Sequence, residues 1–84
     1  MNIKDKSRIY WACRRGMLEL DIIIMCFFKK RYDFINDNEK KTFVRLLGLS
    51  DILIKNYLLN TNYIYDKNFK KIIYMIKKNK IYSF

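Results

Sequence analysis

Histidine and proline are both absent from the 84 residues, and glycine occurs only twice. Without histidine the chain lacks the commonest general base and the commonest metal ligand. A zinc site needs four ligands, and only Cys13 and Cys26 supply soft donors. So little Gly and Pro disfavours a many-turned sandwich or barrel, whose tight turns draw on both. Two cysteines do not make a disulfide scaffold, and both sit among apolar neighbours, so they read as free packing thiols in a reducing compartment. The longest unbroken apolar run, Ile22–Phe28, is seven residues, where a membrane-crossing helix needs about 20. Glu19 and Asp21 interrupt the only candidate signal-peptide core, and no small-residue cleavage site follows it. These absences point to a cytoplasmic protein without membrane insertion, read as a monomer.

What is present is a bulky apolar fraction. Apolar residues make up 51% of the chain, and seven Tyr, six Phe and one Trp supply filler for a small core. Disordered chains lack such side chains. A mass of 10.4 kDa leaves room for one domain, residues 1–84. The formal charge is +10, unevenly spread: residues 1–66 hold twelve basic and eight acidic residues, and residues 67–84 hold six lysines and no acid. The basic excess is therefore a C-terminal property.

Periodicity and capping chemistry divide the chain into four or five short helices. The first runs from about Lys4 to Cys13, with Asp5 favouring its start and Ile9, Ala12 and Cys13 on one face. Gly16 breaks it and caps the next segment, Met17 to about Arg31, whose length favours a central helix buried on most sides over a strand. Lys29, Lys30 and Arg31 suit its C-terminal dipole. Asn36 and Glu39 have capping-box spacing ahead of Phe43, Leu46 and Leu47, and Gly48 fits a C′ stop. Ser50 caps a fourth helix with Leu53, Tyr57 and Leu58 inward, ending near Asn60. Residues 60–66 suit a loop. From Lys67 onward, Phe69, Ile72, Ile73 and Ile76 trace one helical face with lysines opposite. The fold class is all-α, a single small bundle.

The stretch Arg14-Arg15-Gly16-Met17-Leu18-Glu19-Leu20-Asp21 puts four charges within eight residues at a helix–helix elbow. A purely structural reading has Glu19 at the third helical position reaching back to a free backbone N–H, with Arg15 pairing to it across the elbow. A functional reading has Arg14, Arg15 and Glu19 exposed as a docking patch, the guanidinium fork meeting a partner's carboxylates and Glu19 offering acceptors. Catalysis is the weakest reading, because no Ser–His or Cys–His arrangement exists.

The run Arg8-Ile9-Tyr10-Trp11-Ala12-Cys13-Arg14-Arg15-Gly16-Met17-Leu18-Glu19-Leu20-Asp21 resembles the N-terminal signature of the succinate dehydrogenase flavin assembly factors. The likeness continues through Phe27-Phe28, Tyr32-Asp33, Asp37-Asn38-Glu39-Lys40 and Phe43-Val44-Arg45-Leu46-Leu47, and fades beyond Asp51. The resemblance implies a five-helix bundle that binds the flavoprotein subunit of succinate dehydrogenase, and often of fumarate reductase. It implies promotion of covalent FAD attachment to a histidine of that subunit, with no cofactor of the factor's own. Carried over by motif, the partner-binding residues are Arg15, Gly16 and Glu19, with Arg8, Trp11, Arg14 and Asp21 in support. Cys26 stands where relatives commonly have Pro or another residue, Tyr57 where they usually have Trp, and the basic C-terminal segment replaces a more acidic one.

Taken alone, Trp11 reads as a packing residue more readily than as a contact. The Met25–Phe28 run reads as core. The lysines of the last helix read as a solvated face. Interleaved with Tyr63, Tyr65, Tyr74 and Tyr82, they also support a rival reading, a basic helix binding nucleic acid or an anionic membrane surface. Lys dominates over Arg there and no nucleic-acid motif is present, so no nucleic-acid partner is expected.

Overall fold

The Asp5 carboxylate accepts the Arg8 backbone N–H at 3.3 Å and starts α1, Lys6–Ala12. The computed structural model describes residues 1–79, so Lys80 and Tyr82 of the basic, Tyr-interleaved tail lie outside the described residues. The further helices are α2 (Leu18–Arg31), α3 (Asp37–Leu47), α4 (Asp51–Leu59) and α5 (Lys67–Lys78). Short 3₁₀ turns follow α2 at Tyr32–Phe34 and α4 at Thr61–Tyr63, and no strand occurs among the described residues. The architecture is the all-α bundle that the composition and capping signals indicate.

Three helix starts follow the sequence chemistry. Asn36 accepts the Glu39 N–H at 2.8 Å while Glu39 accepts the Asn36 N–H at 2.9 Å, a complete capping box. Ser50 accepts the Leu53 N–H at 3.2 Å. Asp66 accepts the N–H groups of Asn68 and Phe69 at 2.8 and 3.1 Å. Each bond satisfies a donor that the helix itself leaves free.

The core is one cluster. Helix α5 packs against α2, α3 and α4, with Phe69, Ile72, Ile73 and Ile76 buried along its inner stripe. The hub expected of the second segment therefore falls to α5; α2 buries Leu20, Ile24, Phe27 and Phe28 and leaves its flanks half-covered. Phe27, Phe28, Tyr32 and Phe43 join in an aromatic cluster with ring centroids 5.0–6.3 Å apart. The Tyr32 hydroxyl donates to the Ile3 carbonyl, tying the N-terminal residues to the end of α2.

Three expectations are corrected. In α4 the fully buried residue is Ile54, while Leu53, Tyr57 and Leu58 are only half-buried. That helix is apolar on nearly every face, so the period has no single stripe to reveal. Residues 60–66 include a 3₁₀ turn, and Ile64 is buried within the stretch. Gly48 has φ −80°, a conformation open to any residue, so α3 does not end in a left-handed glycine.

Two predictions follow from these contacts. Burial pushes the Cys13 thiol up to about 12, and its side chain is fully covered, whereas Cys26 is half-buried. Iodoacetamide at about pH 8 should label Cys26 first and Cys13 only as the bundle opens, because the thiolate is the reactive form. Mass spectrometry of the labelled peptides reads this directly. Separately, the Asn36 N–H bond, and then Lys71 at 3.1 Å, hold the Glu39 carboxyl below its ordinary 4.5. The Phe69 N–H bond, with Asn68 and Arg45 adding to it, holds Asp66 below its ordinary 3.8. Depressed carboxyls stabilise the fold above their unfolded values and lose that contribution as pH falls through the folded ones. Thermal stability should therefore hold down to about pH 5 and then decline, less steeply in Glu39→Gln. Melting by circular dichroism across that range checks it.

Candidate functional site

Residues 13–17 turn the chain between α1 and α2. Cys13 closes α1, its N–H donating to the Ile9 carbonyl at 3.0 Å. Gly16 has φ +84°, and nothing lies within 4 Å of where a Cβ would stand. Glycine is needed there for the left-handed backbone and not for space. This corrects the expectation that Gly16 caps the second helix. The N-cap of α2 is Met17 in extended backbone, with no side-chain cap. The carboxylates of Glu19 and Asp21 in the first turn favour the helix dipole instead.

Arg15 departs furthest from its expected role. Its Nε donates to Asp51 Oδ1 at 2.6 Å, its Nη1 to the carbonyls of Leu47 and Ala12, and its Nη2 to the Leu49 carbonyl at 2.6 Å. The Arg15 side chain is 14% exposed. The guanidinium thus sits where α3 ends and α4 begins, supplying donors to carbonyls that a helix C-terminus leaves free. The Arg15 backbone N–H donates to Asp21 Oδ1. The pairing of Arg15 with Glu19 across the elbow does not occur. Asp51 holds the guanidinium, and the Glu19 carboxylate makes no hydrogen bond or ion pair among the described residues. Asp51 was missed because an acid just after an N-cap Ser reads as a dipole partner, and its distance in sequence from Arg15 hides the contact.

The motif therefore divides. Arg15, Gly16 and Asp21 shape the elbow, with Arg15 and Asp21 half-buried. Arg8, Trp11, Arg14 and Glu19 lie exposed. Trp11 is 63% exposed, which overturns its reading as a packing residue. Its ring meets Tyr10 edge-on at 5.7 Å, and the Arg14 guanidinium lies 5.7 Å over it. Arg8 makes only a loose pair with Asp5 at 3.4 Å. The exposed set offers guanidinium donors, an aromatic face and one free carboxylate. Such groups suit recognition of another surface, and the nearby Cys13 thiol is sealed, its pKa raised by burial. Among the described residues no three His, Cys, Asp or Glu converge on a metal-sized site, and no helix is long and apolar enough to cross a membrane.

On α5, Lys67, Lys70, Lys71, Lys77 and Lys78 are exposed, as expected of a solvated face. Lys71 is occupied by Glu39, and Lys78 lies 5.5 Å over the Tyr74 ring.

The family model described as "Flavinator of succinate dehydrogenase" matches residues 7–80. The chain is 51% identical over 79 residues to the "FAD assembly factor SdhE" of Wigglesworthia glossinidia brevipalpis, covering 94% of each protein. It is 51% identical over 77 residues to the protein of the same description from Pectobacterium atrosepticum, covering 92% of this chain and 88% of that one. With the Yersinia pestis protein the identity is 57% over 60 residues, 71% of this chain and 68% of the relative. A match of this extent, arriving at a bundle whose elbow carries the signature run Arg8–Asp21, settles descent: the chain belongs to the succinate dehydrogenase flavinator family.

Proposed function

We propose that the protein is an assembly factor that binds the flavoprotein subunit of succinate dehydrogenase and promotes covalent attachment of FAD to it. The observation that carries this reading is the exposed set Trp11, Arg14 and Glu19 on an elbow pinned by the Arg15 guanidinium. Family membership and the relatives' names support it. The protein acts in the cytoplasm as a monomer, carries no cofactor of its own, and acts on FAD held by the partner. Fumarate reductase, with a flavoprotein subunit of the same kind, is a second client.

The flavin and the subunit's own histidine carry the bond-making. The factor holds the subunit in the conformation that aligns them. A binding partner shifts an equilibrium only by its differential affinity for the two states, and about 1.4 kcal/mol of difference is tenfold in population. Catalytic groups on the factor are not required for this. Arg8, Trp11, Arg14 and Glu19 make the contacts, while Arg15, Gly16 and Asp21 set where those contacts stand.

The division of roles yields opposite expectations for two motif residues. Glu19→Gln should leave stability within about 0.5 kcal/mol, because the carboxylate is exposed and makes no pair among the described residues, yet reduce covalent flavin several-fold when the variant is added to an unflavinylated subunit. Arg15→Ala should lower unfolding free energy by about 2 kcal/mol, since charged hydrogen bonds are lost and carbonyls left unmet, and lose stimulation in parallel. Flavin fluorescence of the denatured subunit on a gel, with urea melts of each variant, measures both. Full stimulation by Glu19→Gln and Trp11→Ala together would remove the elbow from the mechanism. Nanomolar RNA or anionic-vesicle binding with steep salt dependence would favour the basic-helix reading.

A further inference from the structure

Beside the elbow lies a groove of about 280 Å³ walled by three helices. The N-cap and first turns of α2 supply Met17, Leu20 and Ile23, and the last turn of α4 supplies Leu58 and Leu59. Three charges line it: Glu19, Lys55 and Lys77. Helix α4 reads Asp-Ile-Leu-Ile-Lys-Asn-Tyr-Leu-Leu, yet only Ile54 is fully buried. Ile52 and Leu59 are 74% and 73% exposed. So short a helix with this much uncovered apolar surface is under-packed for a helix serving only its own core.

We propose that this groove is a second docking surface for the flavoprotein subunit, taking an apolar segment that carries a carboxylate. The inference rests on the assembly-factor reading above. Three observations select the occupant. The floor is apolar, so the segment must bring apolar side chains. The rim is lysine on the α4 and α5 sides, so the segment's acid meets Lys55 and Lys77. Glu19 and Met17 belong both to the groove and to the elbow, so one partner reaches both without a break in the surface. A second copy of this chain is the poorer occupant. Each chain carries a formal +10, and pairing two grooves brings four rim lysines together.

The test measures binding of the full chain to the unflavinylated flavoprotein subunit by biolayer interferometry at several salt concentrations. Leu59→Ser removes the exposed floor, and Lys55→Glu with Lys77→Glu reverses the rim. Lys41→Glu with Lys70→Glu, at exposed positions away from the groove, controls for net charge. The proposal expects at least fivefold weaker binding for Leu59→Ser, and tenfold or more for the rim variant with a flatter salt dependence. It expects little change for the control. Wild-type affinity in both groove variants, with Glu19→Gln still weakened, would overturn the groove and leave the elbow reading standing. Absence of any wild-type binding would take down both. Sedimentation showing a wild-type dimer that Leu59→Ser dissolves would assign the groove to a second copy and overturn the proposal.

Discussion

A guanidinium carries only donors, and the end of a helix offers only acceptors. Arg15 brings these two facts together. Its fork reaches the carbonyls of Leu47 and Leu49 where α3 stops, and the Asp51 carboxylate where α4 starts. No other type of side chain fits this place: lysine has a single nitrogen and a point charge, and cannot span acceptors fixed on different segments. The contact crosses more than thirty positions of sequence, so it closes the bundle as well as satisfying local groups. The last turn of α3 closes on itself, with the N–H groups of Gly48 and Leu49 donating to the Arg45 and Leu46 carbonyls at 3.0 Å, and the Arg15 fork takes up the carbonyls that this turn leaves over, those of Leu47 and Leu49.

Once the fork is fixed, the surface around it follows. Gly16 turns the backbone through a left-handed conformation one residue later, and Asp21 accepts the Arg15 N–H from the first turn of α2. The direction in which α2 leaves the elbow is set by these two residues and the fork. Glu19, two residues before Asp21 on that turn, is thereby displayed to solvent, while Trp11 and Arg14 are displayed from the other arm. A motif of adjacent residues thus holds two kinds of work: some members build the corner and others stand on it.

Much of the fold was legible in the sequence because its signals are local. The Asn36–Glu39 box, the Ser50 cap and the Phe69–Ile76 stripe each need only a few residues of context, and each stands as the spacing indicates. The errors share a cause. Arg15 and Glu19 are four residues apart, a spacing that suggests a pair; the partner is Asp51, distant in sequence and near only through packing. Trp11 was judged by its residue type, and a type average does not reveal a tryptophan turned outward beside an arginine. In α4 the apolar residues surround the helix, so periodicity had nothing to resolve. That failure of the pattern is itself informative, because a helix apolar on most of its sides belongs in a core or against a partner.

An assembly factor must hold its client firmly enough to bias it and loosely enough to leave. A pinned elbow suits that demand. Side chains on a rigid frame lose little conformational freedom on docking, so a modest surface can discriminate between client conformations without tight overall binding. Rim-exposed charges add mainly to encounter rate and orientation, and their contribution is screened by salt. The formal +10 of the chain therefore favours rapid approach to an acidic surface more than long residence on it. On the proposed reading, discrimination would fall to the few groups whose placement the Arg15 fork determines. On the reading proposed above, loosening that fork would blur the difference in affinity between client states even if every exposed side chain remained, and a binding partner shifts an equilibrium only by that difference.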